Sequence, residues 1–159
     1  MKKVNVCALL LALIIPLAVG VLSAVLSMRG MAAYCDMEKP PLSPPAWVFP
    51  VAWTILYLLM GWSAYLVYVA DADKDQKFVA LAFFAFQLIL NFMWTIIFFN
   101  WGAYLFAFIW LLLLLTAVII CVLRFFDISK LAACLMIPYI IWLGFAAYLN
   151  VGVYLIDRK

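Results

Sequence analysis

Charged residues along this chain come in clusters, and the stretches between the clusters carry none. Lys2 and Lys3 precede the first apolar run, and Arg29, Asp36, Glu38 and Lys39 follow it. Asp71, Asp73, Lys74, Asp75 and Lys77 form a second cluster, Arg124, Asp127 and Lys130 a third, and Asp157, Arg158 and Lys159 end the sequence. Crossing about 30 Å of hydrocarbon takes roughly 20 apolar residues at about 1.5 Å of helical rise each. The uncharged stretches Val4–Met28, Pro40–Ala70 and Leu131–Ile156 each supply one span, and Phe78–Leu123 is long enough for two. Its natural break is Asn100-Trp101-Gly102, where Asn and Gly suit a tight turn and Trp an interface. The pattern predicts an all-α membrane protein, a five-transmembrane-helix bundle. Its single domain covers 1–159, with spans near 4–27, 47–69, 78–99, 103–123 and 131–156. Strand-type alternation is absent, which argues against a β-barrel.

Composition agrees. The chain is 72% hydrophobic and 11% charged, against about 45–50% and about 25% for soluble domains. The first run follows a basic pair, as in a signal peptide, but its 25 uncharged residues exceed the usual h-region of about 7–15, so a retained helix is expected. Six basic residues (Lys2, Lys3, Lys74, Lys77, Arg124, Lys130) share one side of a five-span topology, and four (Arg29, Lys39, Arg158, Lys159) the other. The positive-inside rule then favours a cytoplasmic N-terminus. The expected location is a multi-pass one in a bacterial cell membrane. Basic residues scattered in ones and twos leave no clustered face for nucleic acid.

The residues that are missing exclude much chemistry. The sequence holds no histidine, which removes the commonest general base, metal ligand and haem axial ligand. No carboxylate falls inside a span, so a buried proton relay is not available. Cys7, Cys35, Cys121 and Cys134 lack metal-ligand or CxxC spacing and read as fillers of apolar space. No phosphate loop or nucleophile elbow appears. No catalytic residue, metal ligand or required cofactor is expected.

The spans carry aromatic side chains instead, 18% of the sequence. Trp47, Trp101 and Tyr154 fall at span ends, where interfacial rings normally sit. Others are mid-span and recur at helical spacing. Trp53, Tyr57, Met60 and Ala64 share one face of the second span, and Gln87, Asn91, Trp94 and Phe98 one face of the third. Pro138, Trp142, Phe145 and Leu149 share a face of the fifth, with Ala146 beside it. Gln87 and Asn91 must turn inward, because unpaired amides in hydrocarbon cost several kcal/mol. Inside, they are either interhelical glue, at about 0.6 kcal/mol each, or polar anchors of an aromatic small-molecule cavity. Periodicity leaves both readings open. The leucine-rich fourth span, Leu111 to Leu115, lacks such a stripe and is expected to face lipid or a second subunit.

Pro40, Pro41, Pro44, Pro45 and Pro50 crowd the first loop. Proline fixes φ and removes a donor, so 40–45 is predicted to be stiff and extended. A stiff loop at 28–46 is either a lid over the bundle mouth or a plain connector.

Several runs resemble the tryptophan-rich sensory protein/translocator protein (TspO/MBR, peripheral-type benzodiazepine receptor) family. They are Glu38-Lys39-Pro40, Ser43-Pro44-Pro45, Trp47-Val48-Phe49-Pro50-Val51-Ala52-Trp53-Thr54, Leu56-Tyr57 and Leu59-Met60-Gly61. Gln87, Leu90-Asn91, Trp94 and Phe98-Phe99 continue the likeness, as do Pro138-Tyr139, Trp142, Phe145-Ala146 and Leu149-Asn150. The resemblance implies a homodimer of five-helix bundles, each with a pocket closed by the first loop. It also implies porphyrin ligands (protoporphyrin or haem), and in some members sterols or benzodiazepine-type compounds. The ligand-binding positions carried over are Tyr34, Pro44, Trp53, Tyr57, Asn91, Trp94, Trp142 and Ala146, with Gln87 added from the stripe. Two positions depart from the family pattern: Ala33 and Leu42 stand where tryptophan is common. Light-dependent porphyrin breakdown, tied to those tryptophans, is put in doubt. A sterol-contact pattern is legible as Val151, Tyr154 and Arg158, although Tyr154 and Arg158 also read as an interfacial anchor.

The expected function is a membrane sensor or sequestering protein for tetrapyrroles. The alternatives are a carrier of porphyrin or sterol and a porphyrin-degrading enzyme. Partners implied are a porphyrin-type molecule, the bilayer and a second copy of the chain, with no nucleic acid.

Overall fold

The computed structural model describes residues 5–158, so Lys2, Lys3, Val4 and Lys159 lie outside the described residues. Those residues form six helices: α1 (Val6–Leu26), α2 (Met28–Asp36), α3 (Val48–Val69), α4 (Lys74–Phe99), α5 (Tyr104–Ile128) and α6 (Lys130–Asp157). All but α2 are long and apolar enough to cross a bilayer, giving the five expected spans. The spans close into a ring: α1 packs on α3 and α4, α3 on α6, α6 on α5, and α5 on α4.

Helix ends are set by local chemistry. Asn5 Oδ1 accepts the N–H of Ala8 at 3.1 Å. Asp73 accepts those of Asp75 and Gln76 at 2.9 and 3.2 Å, satisfying first-turn donors that a helix leaves orphaned. This cap starts α4 at Lys74, ahead of the apolar window at 78, so Lys74 and Lys77 ride on the helix end. Likewise α5 continues to Ile128, and Ser129 alone separates it from α6. The break in the long apolar stretch falls at Asn100-Trp101-Gly102, where Gly102 takes φ +59°, a conformation glycine adopts without steric cost. Asn100 also donates to the carbonyl of Leu26 at 3.0 Å, closing the end of α1.

The core lies between α3, α4, α5 and α6. Leu111, Leu114, Val118, Cys121 and Phe125 of α5 are buried against its neighbours, and Phe125 stacks on Phe84 at 6.0 Å. The other face of α5, with Ile109, Leu112, Leu113 and Leu123, is exposed, as its lack of an aromatic stripe suggested. Small residues let the backbones approach. A Cβ on Gly61 of α3 would meet the α1 carbonyl oxygen of Ala12 at 2.5 Å, the close crossing typical of membrane helices. Polar groups cross-link the rest: Ser63 Oγ donates to Ala132 O at 2.7 Å and Trp110 Nε1 to Leu90 O at 2.9 Å.

The first connection differs from expectation in two ways. Its first part, 28–36, is the helix α2, separated from α1 only by Ser27. It is held through Tyr34, whose ring meets Phe98 and Phe99 edge-on at 5.7 and 5.6 Å. Secondly, 40–45 is not continuously extended. The N–H and the Oγ of Ser43 both donate to Pro40 O, at 3.3 and 2.7 Å, and Leu42 takes φ +65°. This is a turn with proline at its second position and a positive φ at its third, a place that normally falls to Gly or Asn. Leu42 is free to take it because it is the one residue between Pro40 and Ser43 whose φ no ring fixes.

Candidate functional site

A cavity of about 380 Å³ opens between α1, α3, α4 and α6, under the connection between α2 and α3. This lies within the ~300–1,000 Å³ common for small-molecule sites. Its walls are mostly apolar and aromatic. Trp53 stacks on Tyr57 at 5.5 Å and meets Trp142 edge-on at 6.4 Å, while Phe49 meets Trp142 at 6.1 Å. Across the cavity Trp94 stacks on Phe98 at 5.3 Å. Tyr34 comes from α2, and Lys39, Pro44 and Ala46 from the connection that follows it. Burial, reinforced by Cys35 and Tyr104, pushes the Tyr34 hydroxyl above its ordinary pKa.

Of the residues expected in a site, Tyr34, Pro44, Trp53, Tyr57, Trp94, Trp142 and Ala146 line this cavity. Gln87 and Asn91 do not. Asn91, 1% exposed, lies behind Tyr57, accepting its hydroxyl at 2.7 Å and donating to Tyr139 Oη at 2.9 Å. Both phenols need a partner in an apolar interior, and the amide is used up in supplying it. Gln87 is fully buried, its Nε2 4.0 Å from Met60 Sδ. Asn91 thus ties helices together as the glue reading has it, whereas Gln87 spends only its Nε2 and its Oε1 has no partner. On α6 the expected Trp142, Phe145, Ala146 and Leu149 all line the cavity, while Pro138 is exposed and the neighbouring Tyr139 and Leu143 are buried instead.

Other lining residues escaped the stripes. Leu17, Gly20, Val21, Ser23 and Ala24 of α1 form one wall. The small residues Gly20, Ser23 and Ala24 at helical spacing were the available signal. Asn150, a third amide in an apolar span, was another. It is fully buried, and its Nδ2 donates to Tyr104 O at 2.8 Å while its Oδ1 has no partner. Trp94 Nε1 is likewise buried and unpartnered. Trp94 and Asn150 are both lining residues, and each keeps one buried polar atom without a partner. Ala33 and Leu42 line nothing, and Leu42 is 84% exposed. Among the described residues no cluster suited to a metal ion occurs.

Tyr154 and Arg158 contact each other at the end of α6, the guanidinium lying 5.5 Å from the ring centroid and donating to the hydroxyl at 3.2 Å. Trp47 and Trp101 are exposed at helix ends, as interfacial anchors would be.

The sequence profile of the TspO/MBR family matches residues 12–155. The chain is 34% identical to the tryptophan-rich protein TspO of Archaeoglobus fulgidus over 96% of this chain and 99% of that protein. It is 38% identical to the tryptophan-rich sensory protein of Cereibacter sphaeroides, over 74% of this chain and 72% of the relative. With the translocator protein of Homo sapiens it shares 36% identity over 77% and 73% of the two chains. These relatives, together with five apolar helices, support a multi-pass integral membrane protein in a sensor or regulator role. With the profile covering most of its length and relatives this similar, the chain belongs to the TspO/MBR family.

Proposed function

We propose that this protein binds a tetrapyrrole of the protoporphyrin or haem type within the membrane, and senses or sequesters it. The supporting observation is the set of tryptophans from three helices, Trp53, Trp94 and Trp142, around one aromatic cavity. A flat macrocycle offers two π faces to such walls, each good ring contact contributing about 0.5–1.5 kcal/mol beyond area burial. No charged side chain lies in the middle of the described spans, so no ion-coupling site for active transport is evident.

Protoporphyrin added to the purified protein should quench its tryptophan fluorescence saturably. Trp142→Ala should weaken that binding by about tenfold, the loss of one to two ring contacts. Equal affinity in the variant would remove the proposed cradle.

A further inference from the structure

We infer that Lys39 makes this cavity selective for ligands carrying an anionic group, and that a ligand carboxylate docks at its ammonium. Among the described residues Lys39 is the one charged side chain in the cavity lining, and it comes from the connecting segment rather than from a span. It is partly buried, its Nζ 3.0 Å from Cys35 O and 5.6 Å from the centroid of Tyr34. No carboxylate among the described residues is paired with it. A carbonyl and a ring face occupy part of its bonding capacity, since an ammonium carries three donors. With donors left over and no counter-charge, the ammonium can give a ligand anion arriving there a charge-assisted hydrogen bond. The rest of the wall is apolar and aromatic, so the preferred guest is a flat apolar body with an acid at one edge.

The inference deepens the tetrapyrrole reading and rests on it for the ligand, so the test uses two scaffolds. Protein in lipid nanodiscs is titrated with protoporphyrin and with its dimethyl ester, and separately with pyrenebutyrate and its methyl ester. Quenching of, or energy transfer from, tryptophan is the readout. Within each pair, the acid-over-ester preference is compared between wild type and variants, which cancels partitioning into lipid. Lys39→Met should lower that preference by about tenfold, Lys39→Glu should reverse it, and Lys39→Arg should keep most of it. An unchanged preference in Lys39→Met and Lys39→Glu, with helical content intact, overturns the role of Lys39 and leaves the porphyrin reading standing. A Lys39-dependent preference seen only with the pyrene pair overturns the tetrapyrrole reading and keeps Lys39. Binding of neither scaffold overturns both.

Discussion

At the scale of single residues, the most consequential side chain is Asn91. It bridges Tyr57 of α3 and Tyr139 of α6 from its place on α4, tying three helices at one point. In membrane interiors such bonds average only about 0.6 kcal/mol, but deleting the amide strands two buried phenols, at about 1–3 kcal/mol for each group left unsatisfied. Asn91→Leu should therefore destabilise the fold by roughly 2 kcal/mol. A double variant, Asn91→Leu with Tyr139→Phe, should lose less than the sum of the single effects, read by thermal unfolding in nanodiscs. Strict additivity would mean that the bridge is not formed. The sequence already required an inward-facing amide at 91. What it left open was the partner, because neighbours across a helix interface depend on the rotation of both helices.

At the scale of elements, the crossing of α1 over α3 is set by Gly61. A methyl group there meets backbone, which cannot turn aside as a side chain can. Gly61→Ala should push the helices apart and lower stability by about 1–3 kcal/mol, the usual cost of overpacking. Gly144, on the same bundle's α6, has open space where its Cβ would stand. Gly144→Ala should be neutral or stabilising by up to about 1 kcal/mol, because alanine restricts the chain less unfavourably within a helix. Thermal unfolding of the two variants side by side checks both signs; a similar loss in each would contradict the packing account. Both glycines are equally visible in the sequence, and only the distances to their neighbours tell them apart.

At the scale of the whole molecule, the segment over the cavity is fastened to α6 by two contacts. Tyr148 Oη donates to Pro41 O at 2.7 Å, and a Cβ on Gly152 would lie 2.5 Å from Pro40 Cβ. The turn at 40–43 places Pro40 and Pro41 against α6, while Pro44 and Lys39 face the cavity. Tyr148→Phe combined with Gly152→Ala should loosen this cover without touching the cavity wall, because neither residue lines it. Faster amide exchange at residues 37–47, with α3–α6 unchanged, is the expected result. Unaltered exchange there would show that the segment is held by other means.

What the sequence determined by itself is the number and order of the spans and their inward aromatic faces. A bilayer forces every backbone polar group to be satisfied within its own helix, so each span is a local property of an uncharged window. The turn at Asn100-Trp101-Gly102 is legible for the same reason, since its chemistry is contained in adjacent residues. The tertiary structure alone decided which polar groups are spent and which are left over. Asn91 is spent on two phenols, whereas Gln87, Asn150 and Trp94 each keep one buried atom unpaired, and Lys39 reaches the cavity from outside the spans. Those outcomes depend on how far each helix is turned and how closely it approaches the next, quantities settled by side chains distant in the chain meeting one another.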